Sequence, residues 1–426
     1  MLRLSKLGEG VAELDGRSVF VEDALPGERV RARLDDSAGP GKPLRARLLE
    51  VLQPSPDRRA PACALAETCG GCDWLHLQES AQRRAKEEIV QSALEHLGGI
   101  ARDAYRLLPT VASPRALGYR RRAVLHFSGT EGAIGLFARK SHHCLPIESC
   151  PALDEPLQGL PGALAAHLKP FRGEGSAVHL LSAGPHAAFA VMLDGPVKPK
   201  HSAAAEEAVR RLKLRGAVLV PKEGSPVLIG KPALRTTAPL RPEVPLFIRP
   251  DAFTQANAEA NEALVAAAVD ALALPGDESA NVLELYAGNG NFSFAIAGLA
   301  RSVLAVESGH ASVELGRRSV QEGRVPNVRF VLGDARKVTE GLVKEGQRFD
   351  AVLLDPPRTG AAELPRLIAQ TGAKRVVYVA CDPGALARDA QLLAREGYRP
   401  VSLQLVDMFP QTRHVEAVMA FERPQA

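Results

Sequence analysis

Hydrophobic residues along this chain repeat with two different periods, and the change of period divides it. Near the amino terminus, short runs alternate apolar and polar positions: Gly10-Val-Ala-Glu-Leu14, Ser18-Val-Phe-Val-Glu22, Arg29-Val-Arg-Ala-Arg-Leu34 and Leu44-Arg-Ala-Arg-Leu-Leu-Glu-Val51. A period of two is the mark of a half-buried strand. Turns at Asp15-Gly16, Pro26-Gly27 and Gly39-Pro40-Gly41 separate the runs. The pattern predicts a small β-barrel over residues 1–55, with arginines outward and valines and leucines inside, ended by Pro54-Ser-Pro-Asp57. Small five-stranded barrels of this kind often bind nucleic acid. A cysteine cluster follows, and then a polar helix over about residues 79–97.

Between about Thr110 and Leu240 short strands and turns alternate with one or two helices, which predicts an α+β middle domain over residues 56–244. Its clearest strand is Gly118-Tyr-Arg-Arg-Arg-Ala-Val-Leu-His-Phe127, and the stretch from Glu206 to Leu212 reads as helix. From Pro245 the spacing changes. An alanine-rich helix from Ala256 to Leu272 is closed by Pro275-Gly276, and apolar runs at Val282, Val303, Val328, Ala351, Val376, Val401 and Val415 then alternate with helical stretches. Strands separated by helices predict a parallel, doubly wound α/β sheet over residues 245–426, with ligands at the carboxyl ends of its strands.

The chain has 426 residues, 46% hydrophobic and 24% charged, which is an ordinary globular composition with length for more than one core. Its longest apolar stretches, such as Phe292 to Leu299, fall far short of the roughly 18–20 residues that span a bilayer. Met1-Leu-Arg-Leu-Ser-Lys-Leu-Gly8 has no continuous apolar core of a signal peptide. A cytoplasmic protein with no obligate protein partner is expected. The net charge of +4 is only mildly basic, but Arg29, Arg31 and Arg33, then Lys42, Arg45 and Arg47, then Arg120-Arg-Arg122 form local basic stripes suited to phosphate contacts. Five of the six cysteines, Cys63, Cys69, Cys72, Cys144 and Cys150, lie close in sequence. In a cytosolic chain such a cluster points to metal rather than to disulfides.

The chemistry gathers where the strands of the last third end. Val282-Leu-Glu-Leu-Tyr-Ala-Gly-Asn-Gly-Asn291 reads as a buried strand running into a glycine-rich turn. A dinucleotide fingerprint asks for a third glycine or alanine three positions after Gly290; Ser293 stands there. Glu307 ends the next strand, where an acid can hold both ribose hydroxyls, and Asp334 ends the third, where it can meet an adenine edge. An acidic, phosphate-poor pocket suits a sulfonium, which points to S-adenosylmethionine over NAD. Cys381 follows another apolar run and has no such routine use. Methylation at C5 of a pyrimidine gives it one: a thiolate adds to C6, the resulting enolate attacks the sulfonium methyl through C5, and a base removes the C5 proton. Cys381 is then the nucleophile, just before a helix starting near Pro383 whose positive end is expected to lower its pKa. Glu416 is a candidate base, and Asp355, in a loop stiffened by two prolines, can position the base edge or Cys381.

With these residues in place the chain resembles the RNA uracil-C5 methyltransferase family over nearly its whole length. The matching segments are Phe253-Thr-Gln-Ala-Asn257, Leu285-Tyr-Ala-Gly-Asn-Gly-Asn-Phe292, Asp355-Pro-Pro-Arg-Thr-Gly360, Cys381-Asp-Pro and Met408-Phe-Pro-Gln-Thr-Arg-His-Val-Glu416. The resemblance implies a class I methyltransferase domain with donor contacts from Gln255, Tyr286, Gly288, Asn291, Glu307, Asp334 and Asp355, and with Cys381 as nucleophile and Glu416 as base. Tyr286 stands where the family often has phenylalanine, and Asp334 where asparagine occurs; both departures are mild. Gly8-Glu-Gly-Val-Ala and Ala24-Leu-Pro-Gly-Glu28 resemble the TRAM module, an RNA-binding barrel. Cys63, Cys69, Cys72 and the Cys150-Pro151 pair resemble the family's [4Fe-4S] ligand set, although by spacing alone zinc suits four thiolates nearly as well. Gly118-Tyr-Arg-Arg-Arg122 matches a family segment, which marks Tyr119, Arg120, Arg121 and Arg122 as expected RNA contacts.

TRAM together with an iron–sulfur cluster resembles the branch that acts on 23S rRNA, with the transfer-RNA T-loop as the alternative substrate. Either target base has to be flipped out of a loop to reach a buried thiol. Two other classes stay open at this point. Methylation of an exocyclic amino group would need neither Cys381 nor Glu416, and a non-catalytic RNA-binding factor would need no donor site.

Overall fold

The computed structural model describes residues 1–35, 43–128 and 133–424. The expected Gly39-Pro40-Gly41 turn and Lys42 lie outside them. The amino-terminal strands Arg3–Leu4, Gly10–Leu14, Arg17–Val21, Arg29–Leu34 and Leu44–Gln53 form one five-stranded sheet. Its small core holds Val19, Val21, Ala24 and Ala46, while Arg29, Arg31 and Arg33 point to solvent, as their alternation predicts. Trp74, fully buried, joins this unit to the rest: it packs with Leu4, Leu25, Leu77 and Ala81, and its indole N–H donates to the Gly8 carbonyl at 3.2 Å. At Gly8, φ is +81° and a Cβ would come within 2.6 Å of the indole nitrogen, so a side chain there would push this sheet off the tryptophan.

The middle region combines strands and helices. Seven strands, from Val227–Gly230 at one edge to Cys144–Pro146 at the other, make a mixed sheet covered by the helix Pro199–Arg211. The strand expected from Gly118 begins only at Arg122, because residues 118–121 cross to other parts of the fold: Arg120 bridges to Leu153 and to Asn257. The expected division at residues 244 and 245 cuts the strand Arg241–Ile248, which pairs with Leu234–Ala238 as a separate hairpin.

The last third is built on seven strands: β1 (Asn281–Leu285), β2 (Ser302–Glu307), β3 (Val328–Leu332), β4 (Ala351–Leu354), β5 (Arg375–Ala380), β6 (Arg399–Val406) and β7 (Glu416–Glu422). Their spatial order is β3-β2-β1-β4-β5-β7-β6, with Arg106–Leu107 from the middle region added beside β6. Strands β1 to β5 are parallel; β1, β2, β4 and β5 are almost wholly buried, which is why they read as largely apolar runs, while the edge strand β3 leaves Arg329 and Leu332 exposed. The expectation of an all-parallel sheet fails at β7, which is antiparallel to both neighbours. No helix lies between β6 and β7 to carry the chain back, so it can only return in the opposite direction. The Ala258–Leu272 helix covers one face and stops at Ala273, which takes a left-handed conformation two residues before the expected Pro275-Gly276.

The helix Glu79–His96 docks on the other face, against the helix Pro383–Arg395, and places Val90 and Leu94 in the same core as Leu386 and Ala390. Its Lys86 makes a fully buried ion pair with Asp407 at 2.6 Å. Removing one partner of such a pair strands a charge in the interior, at a cost of about 3–5 kcal/mol. Among the described residues, no helix is long and apolar enough to cross a membrane.

Candidate active site

The register of the sheet assembles the site. Ala380, the last residue of β5, pairs with Ala417 of β7; one step further toward the same sheet end stand Cys381 and Glu416. Because β7 runs antiparallel, its first residue lies at the carboxyl end of the parallel strands. Leu354 pairs with both Leu285 and Tyr378, so Asp355 emerges between the turn after β1 and the end of β5. Three chemically active side chains and the glycine-rich turn therefore share one rim, the place where ligands bind in open α/β sheets.

Cys381 is half-buried, and the helix Pro383–Arg395 does begin two residues later, capped by Asp382, whose side chain accepts from the Ala385 amide at 2.8 Å. The expected lowering of its pKa is not found. Burial, then the carboxyls of Glu416 and Asp355, push the thiol up to about 12 against the opposing charge of Arg358. A thiolate here loses water and faces two acids, which outweighs the helix end. Glu416 is buried, and its Oε2 has no hydrogen-bond partner among the described residues. Burial and then Asp355 hold its pKa well above the usual carboxylate range, with Arg358 opposing. Burial pushes Asp355 up to about 7. This is an environment for a proton acceptor, with one cation beside it.

The donor-site candidates line the neighbouring strand ends. After β1 the chain turns through Tyr286, Gly288 and Gly290 at φ values of +62°, +58° and +98°. A left-handed tyrosine stores about 1–3 kcal/mol of strain, which accumulates where function requires a particular backbone. Glu307 closes the turn, accepting from the Gly288 amide at 3.0 Å and from the Gly309 amide at 2.6 Å. Asp334 is exposed at the end of β3 and caps the Ala335–Lys344 helix through the Lys337 amide at 3.0 Å. Gln255 is buried, and its carbonyl accepts from Arg121 at 2.9 Å. Asn291 and Asn261 exchange amide hydrogen bonds of 2.7 and 3.0 Å. Ser293, in the place a pyrophosphate-binding glycine would occupy, is buried and donates to Glu284 at 2.5 Å.

Several residues of this rim escaped the sequence reading. Asp389 accepts from the Tyr378 hydroxyl and from the Ala361 amide, both at 2.6 Å, and so ties the loop after Asp355 to the helix behind Cys381. Glu284 is fully buried and raised to about 8 by burial. Asn261 had a legible signal as an amide on an otherwise alanine-rich helix; Asp389 and Glu284 had none.

The RNA expectation needs correction at two of its four residues. Tyr119 is buried, and its hydroxyl donates to the Pro410 carbonyl at 2.9 Å. Arg121 is buried and donates to the Gln255 carbonyl and the Thr254 hydroxyl. Both face inward because residues 118–121 pack between the domains. Arg120 and Arg122 stay partly accessible, Arg120 over the rings of Tyr119 and Phe409, and Arg122 5.8 Å from the centre of the exposed Phe253 ring.

Cys63, Cys69, Cys72 and Cys150 line one otherwise largely apolar cavity of about 100 Å³. Burial, together with the neighbouring thiols, pushes Cys72 up to about 12, against Arg120. Cys144 stands apart and donates to the His126 carbonyl at 3.2 Å. Among the described residues, no three His, Cys, Asp or Glu side chains converge as they would around a single metal ion.

Fold and site together define a class I methyltransferase with a cysteine nucleophile candidate and a TRAM-like appendage. Residues 245–424 match the family model described as tRNA (Uracil-5-)-methyltransferase, and residues 2–49 match the TRAM domain. The 23S rRNA (uracil(1939)-C(5))-methyltransferase RlmD of Pseudomonas putida is 37% identical over 437 residues, covering 99% of this chain and 92% of the relative. Its counterpart in Alkalilimnicola ehrlichii is 36% identical, covering 99% of this chain and 95% of the relative. The crystal structure of Pyrococcus abyssi tRNA (uracil-54, C5)-methyltransferase with S-adenosyl-L-homocysteine shares the fold, with a TM-score of 0.70, 23% identity and coverage of 99% and 98% of the two chains. The chain belongs to the RNA uracil-C5 methyltransferase family, whose reaction is S-adenosylmethionine-dependent methylation of uracil C5 in RNA.

Proposed function

We propose that this protein methylates C5 of one uridine in 23S rRNA in the cytoplasm, with Cys381 as nucleophile and Glu416 as base. The observation that carries the mechanism is the adjacency of Cys381 and Glu416 at the ends of paired strands β5 and β7, beside Asp355. Cys381 gives its thiol proton to water and, as the thiolate, forms a bond to C6, so that the C5–C6 double bond becomes an enolate. C5 takes the methyl group from the sulfonium, Glu416 removes the C5 proton, and the Cys381–C6 bond breaks to restore the ring. Asp355 orients the uracil edge or the thiol. Glu307, Asp334, Gln255, Tyr286, Gly288 and Asn291 hold the donor in an acid-rich pocket that suits its positive charge. Full-length similarity to relatives named for 23S rRNA supports the substrate.

Cys63, Cys69, Cys72 and Cys150 are proposed to hold a [4Fe-4S] cluster. The shared cavity and the mutual effect of the thiols on one another support that ligand set over any set with Cys144. Uracil methylation is redox-neutral, so the cluster's contribution is to cross-link this segment. Arg120 and Arg122 contact the RNA, with TRAM as a further RNA-binding surface.

The test is nucleoside mass spectrometry of ribosomal and transfer RNA after incubation of anaerobically purified protein with labelled S-adenosylmethionine. Labelled 5-methyluridine in 23S rRNA is the expected result. Label confined to transfer RNA overturns the substrate, and no labelled 5-methyluridine overturns the activity.

A further inference from the structure

The chain enters β7, and Glu416 at its start, from a loop, residues 407–415, that has no regular secondary structure of its own. Buried backbone groups in such a loop need partners. Most of them come from residues more than 290 positions earlier in the chain. The Trp74 amide donates to the Gln411 carbonyl at 2.9 Å, and the Tyr119 hydroxyl to Pro410. Lys86 donates to the Phe409 carbonyl at 3.0 Å, and the Gln411 amide donates to Gln82 at 2.8 Å. Asp73 takes both the Arg413 amide at 3.2 Å and its guanidinium at 2.9 Å. At the centre, Gln411 is buried and left-handed, with φ of +69°, and its side-chain oxygen accepts from Arg59 at 2.6 Å and Gln82 at 3.0 Å. A non-glycine residue keeps that conformation only where its surroundings over-determine it.

We propose that Asp73, Trp74 and Gln82 are positioning residues for proton removal: they latch the 407–415 loop and, through it, set where Glu416 stands. Asp73 directly follows Cys72, so the latch is anchored in the cysteine-bearing segment and couples that segment to one step of the reaction. The inference rests on the reading of Glu416 as the base.

The two halves of the reaction distinguish a latch from a general structural role. Attack by Cys381 and methyl transfer do not use the base; release of the thiolate does. A displaced base therefore leaves the methylated Cys381–RNA adduct to accumulate on ordinary uridine RNA. The measurement compares Asp73→Ala and Gln82→Ala with Glu416→Gln, following adduct on denaturing gels in single turnover and product in multiple turnover. Turnover should fall roughly 10–100-fold, with adduct forming at the parent's rate and persisting as it does in Glu416→Gln. Asp73→Glu should restore part of the turnover, and Asp73→Asn carries the test if the alanine variant does not fold. Parallel loss of adduct formation and turnover, or no loss of either, overturns the latch. Failure of Glu416→Gln itself to accumulate adduct overturns the base assignment instead.

Discussion

Cys72 in the middle region and Cys381 at the end of β5 share one property: burial pushes each thiol up to about 12. Their neighbours differ. Cys72 is surrounded by other thiols with Arg120 opposing, whereas Cys381 faces the carboxyls of Glu416 and Asp355 with Arg358 opposing. Thiols crowded together would lose their protons together only to a shared cation, which is the role proposed for a metal group there. A lone thiol among carboxyls lacks such a partner and gives up its proton when a substrate takes the new bond. The same shift thus falls on a proposed ligand in one place and on the proposed nucleophile in the other, and the neighbours are what differ.

That contrast can be broken most sharply at Cys381. Cys381→Ser should lower methylation by about 10⁴-fold or more, the scale of removing an enzymic nucleophile, while bound iron and sulfide stay at the parent level. Radiolabel transfer and iron analysis on the same preparation check both halves; iron lost together with activity would merge the two roles. Cys72→Ala should do the reverse, losing most of the bound iron and sulfide while its methylation, followed by the same label transfer, falls much less than in Cys381→Ser.

A smaller effect concerns the acids beside Cys381. Asp355 is lifted from its ordinary 3.8 to about 7, so its contribution to stability is whole below about pH 3.8 and is lost as pH rises through 7, where the folded form must also ionise. Asp355→Asn should therefore flatten the decline of Tm across that window, measured by calorimetry at several pH values. An unchanged slope would show that Asp355 does not stay protonated in the fold.

The comparison also shows what was legible in the sequence. Cys381, Asp355 and Glu307 could be read because each ends an apolar run, and strand ends in an alternating β–α pattern form one rim. The cluster of cysteines could be read from spacing, but setting Cys150 apart from Cys144 rested on the family resemblance of the Cys150-Pro151 pair. Neither the raised thiol of Cys381 nor the inward turn of Tyr119 and Arg121 could, because both depend on groups brought together only by tertiary packing. Arg121 donates to Thr254 and Gln255, and Gln411 meets Arg59. The reversed β7 was in principle visible, since no helical stretch separates it from β6, but a rule of alternation hides a missing helix.

The order in which β7 is made has its own consequence. It lies between β5 and β6 in space yet follows both in sequence. While the chain is being synthesised, the sheet must keep a slot open, with two bare strand edges, until this last piece arrives. Bare edges invite wrong pairing. The piece that fills the slot also carries Glu416, so a molecule whose sheet has not closed also lacks the proposed base.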